Sequence, residues 1–307
     1  MKYKFLAVCI SAAIVVGCND HKDKDKDVVT PPPPPPSSLA VQAFDGAVWG
    51  MDAEAVCDGG DPIELGMTDF EGFVYDETIE DPSNCSFTFL PTENAIDVSN
   101  GKDMSDVTYK VPVGLVTADT EKVTASPIST LIADTLGDQA YNEATAVEVL
   151  NALGLTDLTT VSGISIEEFL LDVEGSMATI KEEGNAELFS QIAATNVVLS
   201  DTLVANPGID PTQLAKAAGN LTATVLESYP EYPMNTSGEE IVIDVKETSK
   251  NIDDLTDPNY DPATPPATVV VPAPQPVNPP EEPEDPTQPP TGGTGGTGGA
   301  GGGGTGG

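Results

Sequence analysis

Arginine is absent from this chain, and its 307 residues carry only one histidine, His21. All basic charge comes from 12 lysines, set against 50 Asp and Glu for a formal net charge of -38. Such a surface repels phosphate backbones, so nucleic acid is excluded as a partner. It suits divalent cations, a basic partner, or solubility in a salty medium. With no histidine beyond residue 21, Ser-His-Asp and Cys-His catalysis and histidine-ligated metal sites are excluded downstream. Carboxylate-only chemistry remains, of the kind used by a glycosidase pair. Glu167-Glu168 and Glu182-Glu183 are spaced like solvated charge on helix faces, so the expectation is a protein without catalytic residues. Aromatic residues make up 5% of the chain, with a single tryptophan, Trp49. That residue reads as a core or inter-sheet anchor, with a ligand platform as the alternative.

Cysteine is also scarce: Cys9, Cys18, Cys57 and Cys85. Lys2 and Lys4 precede an apolar run from Phe5 to Val16, too short to span a bilayer and shaped like a secretory signal. The run closes on Val15-Val16-Gly17-Cys18, which resembles the lipobox of bacterial lipoproteins. That resemblance implies a signal peptide over 1–17, with Cys18 lipidated (a palmitate-type acyl anchor) and the mature chain held on a membrane. Asn19 favours the outer membrane by the same resemblance. Cys57 and Cys85 are then an even pair in an exported chain, which predicts a disulfide; two buried thiols are the alternative.

Residues 18–38 alternate Lys with Asp and then run through Pro31 to Pro36, a solvated, semi-rigid spacer. Residues 39–120 are rich in short β-forming runs separated by turn chemistry at Asp58-Gly59-Gly60-Asp61-Pro62, Asp81-Pro82-Ser83-Asn84 and Asn100-Gly101. The pattern predicts a small antiparallel β-sandwich. From 121 to 256 it predicts an all-α helical bundle, so the fold class is α+β. Helix signals are Ser126-Pro127, Asn142 before Glu143, Ser165 with Glu168, and Asp210-Pro211. A long segment from Ser176 to Val204 breaks near Gly184, and Glu239 to Leu255 reads as helix, although Ile241-Val242-Ile243 suits a strand equally. Residues 257–307, Pro/Glu-rich and then Gly-rich, have little to bury and predict a disordered tail.

Several of these stretches together resemble a module of surface proteins and lipoproteins from marine gammaproteobacteria. They are Asp45-Gly46-Ala47-Val48, Thr68-Asp69-Phe70-Glu71-Gly72-Phe73, Val123 to Ala133, Leu153-Gly154-Leu155 and Asp157-Leu158-Thr159, spread over residues 40–160. The module's β-sandwich is similar to carboxypeptidase-regulatory or transthyretin-like domains. The resemblance implies that architecture and an extracytoplasmic address, with adhesion-type work at the cell surface. Asp52, Glu54, Asp58, Asp61 and Glu64 form an acidic loop with Gly59-Gly60 at its bend. Calcium accepts six to eight oxygens in loose geometry, so a Ca2+ site and a plain solvated loop both fit. The chain departs from the module at Val56 and Cys57, where Asn or Asp is common, and by one extra residue before Asp61. The expected function is an outer-membrane, surface-exposed lipoprotein that binds an unknown protein or glycan partner without catalysis. A periplasm-facing accessory subunit and a carboxylate-only glycan hydrolase are the alternatives.

Overall fold

A computed structural model describes residues 39–282. The expected signal peptide over 1–17, Cys18 and the expected linker to residue 38 lie outside the described residues, as do residues 283–307. The described chain is mixed α+β, with several small sheets and nine helices among the described residues.

Strands β1 (Leu39–Ala43), β2 (Val48–Trp49), β3 (Asp52–Cys57), β4 (Ile63–Met67), β5 (Phe73–Asp76), β6 (Cys85–Leu90), β7 (Ile96–Asp97), β8 (Tyr109–Val111) and β9 (Lys122–Ala125) fill the first part. One sheet runs β4-β3-β6-β8, all antiparallel; a second runs β5-β1-β9, and β2 pairs with β7. Alternation sets the faces. Ala53 and Ala55 on β3 point inward with Cys85, Phe87 and Phe89 on β6, while Asp52, Glu54, Ser86 and Thr88 point outward. Cys57 and Cys85 are direct cross-strand partners and are joined by a disulfide. Trp49 is half-buried, its ring centroid 6.3 Å from that of Phe70.

The helices are α1 (Pro127–Leu136), α2 (Glu143–Ala152), α3 (Leu158–Ser162), α4 (Ile166–Leu171), α5 (Val173–Glu182), α6 (Ala186–Ala205) and α7 (Pro211–Ser228). Strand β10 (Ile241–Val242), the short helices α8 (Lys246–Ser249) and α9 (Ile252–Leu255), and strand β11 (Gln275–Pro276) follow. Their starts are chemically explicit. Ser126 and Ser129 form a capping box ahead of Pro127, Ser165 and Glu168 form another, and Asn142 and Asp210 accept from the first-turn amides of α2 and α7. Gly184, at φ 82°, breaks α5 from α6. Helix α6 is long and apolar enough to cross a membrane, but 67% of its apolar window is buried inside the fold. It packs on α1, α5, α7 and α8 and is the core helix.

Three sequence expectations need correction. The division at 120/121 does not separate two domains. Strand β9 lies beyond it yet pairs in parallel with β1, Val41 opposite Val123, and one hydrophobic cluster runs from Leu39 through the helices to Val269. The tail does not begin at 257. Residues 257–282 pack on the helices: Val269 is buried, Tyr260 shares a 2.6 Å hydrogen bond with Thr224, Thr248 donates to Val270, and β11 pairs with β10. Turns closed by Tyr260 to Asp257, Thr264 to Asp261 and Val269 to Pro266 shape its first half, and its apolar side chains provide the burial that its composition conceals. Finally, Ile241–Val242 takes the strand alternative, because β11 supplies its partner.

Candidate functional site

A tight turn at Asp45-Gly46 follows β1, closed by a bridge between Phe44 and Ala47. Gly46 has φ 95°, and a Cβ there would stand 2.4 Å from Ser99 Oγ and 2.5 Å from Asp97 Oδ1. Only glycine lets this turn lie against the segment after β7. Asp45 is thereby sealed among groups from four other segments.

Tyr109 on β8 donates to Asp45 Oδ2 at 3.2 Å and also bonds Ser200 Oγ of α6 at 3.0 Å. Asp97 at the end of β7 is buried and well satisfied. Its Oδ1 accepts from the Ser99 amide and hydroxyl at 2.8 and 2.6 Å, and its Oδ2 accepts from Asn100 Nδ2 at 2.6 Å. Asp201 of α6 is paired with Lys102 at 2.7 Å and accepts from the Val245 amide at 2.7 Å. Both side chains of this pair are nearly sealed, 9% exposed for Lys102 and 1% for Asp201. The cluster thus holds three buried carboxyl groups and one ammonium, which pairs directly with Asp201.

Burial dominates the titration of this cluster. It pushes Asp45 up to about 7, against the pull of Lys102. It pushes Asp97 up to about 6, against the hydrogen bonds from Ser99 and Asn100. The Asp201 carboxyl is likewise raised by burial and opposed by Lys102. Burial works against the charge of Lys102, but Asp201 and Asp45 outweigh it and hold the ammonium above its usual range. Tyr109 and Tyr232 are both raised by burial, with Asp45 adding to it.

Beside Asp45 opens a cleft of about 560 Å³ between the β1–β2 turn, α5, α6 and the β10–β11 pair. Phe44, Met177, Phe189, Val197 and Ile241 supply apolar lining, and Asp45, Glu174, Lys181 and Glu240 supply charge. Lys181 sits 5.1 Å from the Phe189 ring centroid, a cation–π contact at the cleft wall. The arrangement suits a ligand with an apolar body and a few oriented polar groups.

The acidic loop is arranged differently. Asp52 and Glu54 lie on the outer face of β3, Glu64 is the cross-strand partner of Glu54, and Asp58 and Asp61 are exposed at the bend. Among the described residues, no group of three or more His, Cys, Asp or Glu is placed to hold a metal ion. Cys18 lies outside the described residues. Sequence reasoning missed Lys102, Tyr109, Asp97 and Asp201, and read Asp45 only as part of a turn. One signal was present: Asp201 interrupts Val197-Val198-Leu199-Ser200 and Thr202-Leu203-Val204, and a charge on an otherwise apolar helix is rarely left without a partner. No protein-family model matches the chain, and no curated protein or solved structure matches it significantly.

Proposed function

We propose that the chain is a lipid-anchored lipoprotein of the cell outer membrane, surface-exposed, that acts as a non-catalytic binding or adhesion module. The cleft beside Asp45 is its binding site. The observation that carries the reading is that this cleft joins an apolar lining to carboxylates held in place by buried partners, with no histidine to activate a nucleophile. The Cys57–Cys85 disulfide supports an oxidising, extracytoplasmic compartment. The Val15-Val16-Gly17-Cys18 stretch supports the anchor. Within the same reading, the sheets containing β3 and β1 face each other as a small sandwich of the carboxypeptidase-regulatory or transthyretin-like kind, with the helices covering it as a bundle. A calcium ion at the loop of Asp52, Glu54, Asp58, Asp61 and Glu64 is a separate proposal; only Glu54 and Glu64 already face each other there.

Protease shaving of intact cells tests the display, with a Cys18→Ala variant alongside. The expected result is loss of the protein from intact cells and release of the variant into the soluble fraction. Protection until the outer membrane is opened would instead favour a periplasm-facing accessory subunit that docks a basic partner. A variant that stays with the membrane would remove the anchor.

A further inference from the structure

Two residues that line the Asp45 cleft each carry a buried oxygen with no hydrogen-bond partner, Asp45 Oδ1 and Asn196 Oδ1. Asp45 is 7% exposed and Asn196 3%, so solvent does not freely compensate them. The Asn196 amide nitrogen is already spent on Met177 Sδ, at 4.0 Å. Asn196 Oδ1 lacks a donor, and so does Asp45 Oδ1 once that carboxyl is ionised, and an unpartnered buried acceptor carries its full desolvation penalty. Asp45 Oδ2 is occupied by Tyr109, which leaves Oδ1 as the free side of a fixed carboxyl.

Charge selects the kind of donor. Asp45, Glu174 and Glu240 line the cleft against Lys181 alone, and Lys181 is held over the Phe189 ring. Glu174 is partly engaged, accepting from Gln42 at 2.8 Å with Lys122 3.8 Å away. Glu240 forms none of the salt bridges among the described residues. The whole chain, at net -38, adds a long-range field that draws cations toward any such opening. Apolar walls exclude a bare, strongly hydrated ion in favour of a cation that carries hydrocarbon.

Resting on the reading of this cleft as the binding site, we infer that it takes an ammonium group on an apolar body, either the lysine side chain of a partner or a free alkylamine. The ammonium has three donors, against one unpartnered oxygen each on Asp45 and Asn196. Of the remaining charged groups around Asp45, Lys102 and Asp201 are paired with each other, and Asp97 is engaged with Ser99 and Asn100. Binding a cation favours the ionised Asp45. Since burial places that carboxyl near 7, affinity rises with pH between about 5 and 8.

The test is calorimetric titration of the full chain with hexylammonium chloride, hexanol and sodium hexanoate at matched ionic strength. Saturable binding of hexylammonium alone, stronger at pH 8 than at pH 5, is expected. Asp45→Asn is expected to weaken it roughly tenfold or more, as for loss of a charge-assisted hydrogen bond. Glu240→Gln, at an exposed position with no fold to disturb, is expected to weaken it about twofold. A capped Phe-Lys-Phe peptide against its acetyl-lysine form separates the two sources: tighter binding of the lysine peptide than of hexylammonium assigns a protein partner, the reverse a free amine. Equal binding of hexylammonium and hexanol overturns the inference, as does a folded Asp45→Asn that binds like the parent. Amine binding that fails while shaving shows surface display removes only the ligand class. Amine binding that succeeds on a protein protected from protease removes only the display.

Discussion

Asp45 and Asp97 are single residues whose protonation reaches into the stability of the whole fold. An unfolded aspartate titrates near 4, and burial holds these two at about 7 and about 6. Between those limits the folded chain binds more protons than the unfolded one, so stability falls as pH rises. The contribution of Asp45 is complete below about pH 4 and gone above about 7, with a slope of roughly 1.4 kcal/mol per pH unit for each carboxyl. Urea unfolding at pH 5, 6 and 7 is expected to show stability declining with pH, and Asp45→Asn with Asp97→Asn to flatten the decline. A parent whose stability is level or rising over that range would show that these carboxyls are ionised in the fold. None of this was legible in the sequence. Asp45-Gly46 has the composition of a turn and forms one, but its burial comes from Tyr109, which lies 64 residues away, and from Ser200, a further 91 residues on.

Elements were most legible where the chemistry is local. The capping box of Ser165 with Glu168, the Asn142 cap, Asp210-Pro211 and the break at Gly184 all involve residues within one turn of each other, and all stand in the fold. Legibility ended where an element depends on a distant partner. Strand β9 belongs to the sheet because β1, some eighty residues earlier, offers a parallel edge. Strand β10 exists because β11 returns to it. The Cys57–Cys85 link was legible through parity and compartment, and its register was not: β3 and β6 place the two residues directly opposite. Closing a 28-residue separation stabilises the fold by about 3–4 kcal/mol in the chain-entropy model. The Cys57→Ala, Cys85→Ala double variant is expected to melt roughly 6–16 °C lower than the parent. A melt within a degree of the parent would show that the β-sheet ladder alone confines this segment.

At the scale of the molecule, charge imbalance sets the background for every local effect. A net charge of -38 over 307 residues makes the compact state repel itself, and salt relieves that repulsion over a Debye length of about 10 Å at 0.1 M and about 3 Å at 1 M. The melting temperature is therefore expected to climb steadily with sodium chloride from low salt to about 1 M. The outer face of β3 and β4 sharpens this expectation, because Glu54 and Glu64 oppose each other across the two strands, and like charges in that position destabilise the pair. Screening acts on this pair as on any other, whereas a calcium ion bridging it would act at millimolar concentration and through those oxygens alone. Calcium chloride compared with sodium chloride at equal ionic strength separates the two. The proposed ion predicts an additional rise in calcium that disappears in Glu54→Gln. Superimposable melts would leave screening as the whole effect, and the acidic loop would then be a solvated surface whose shape is fixed by the disulfide beside it.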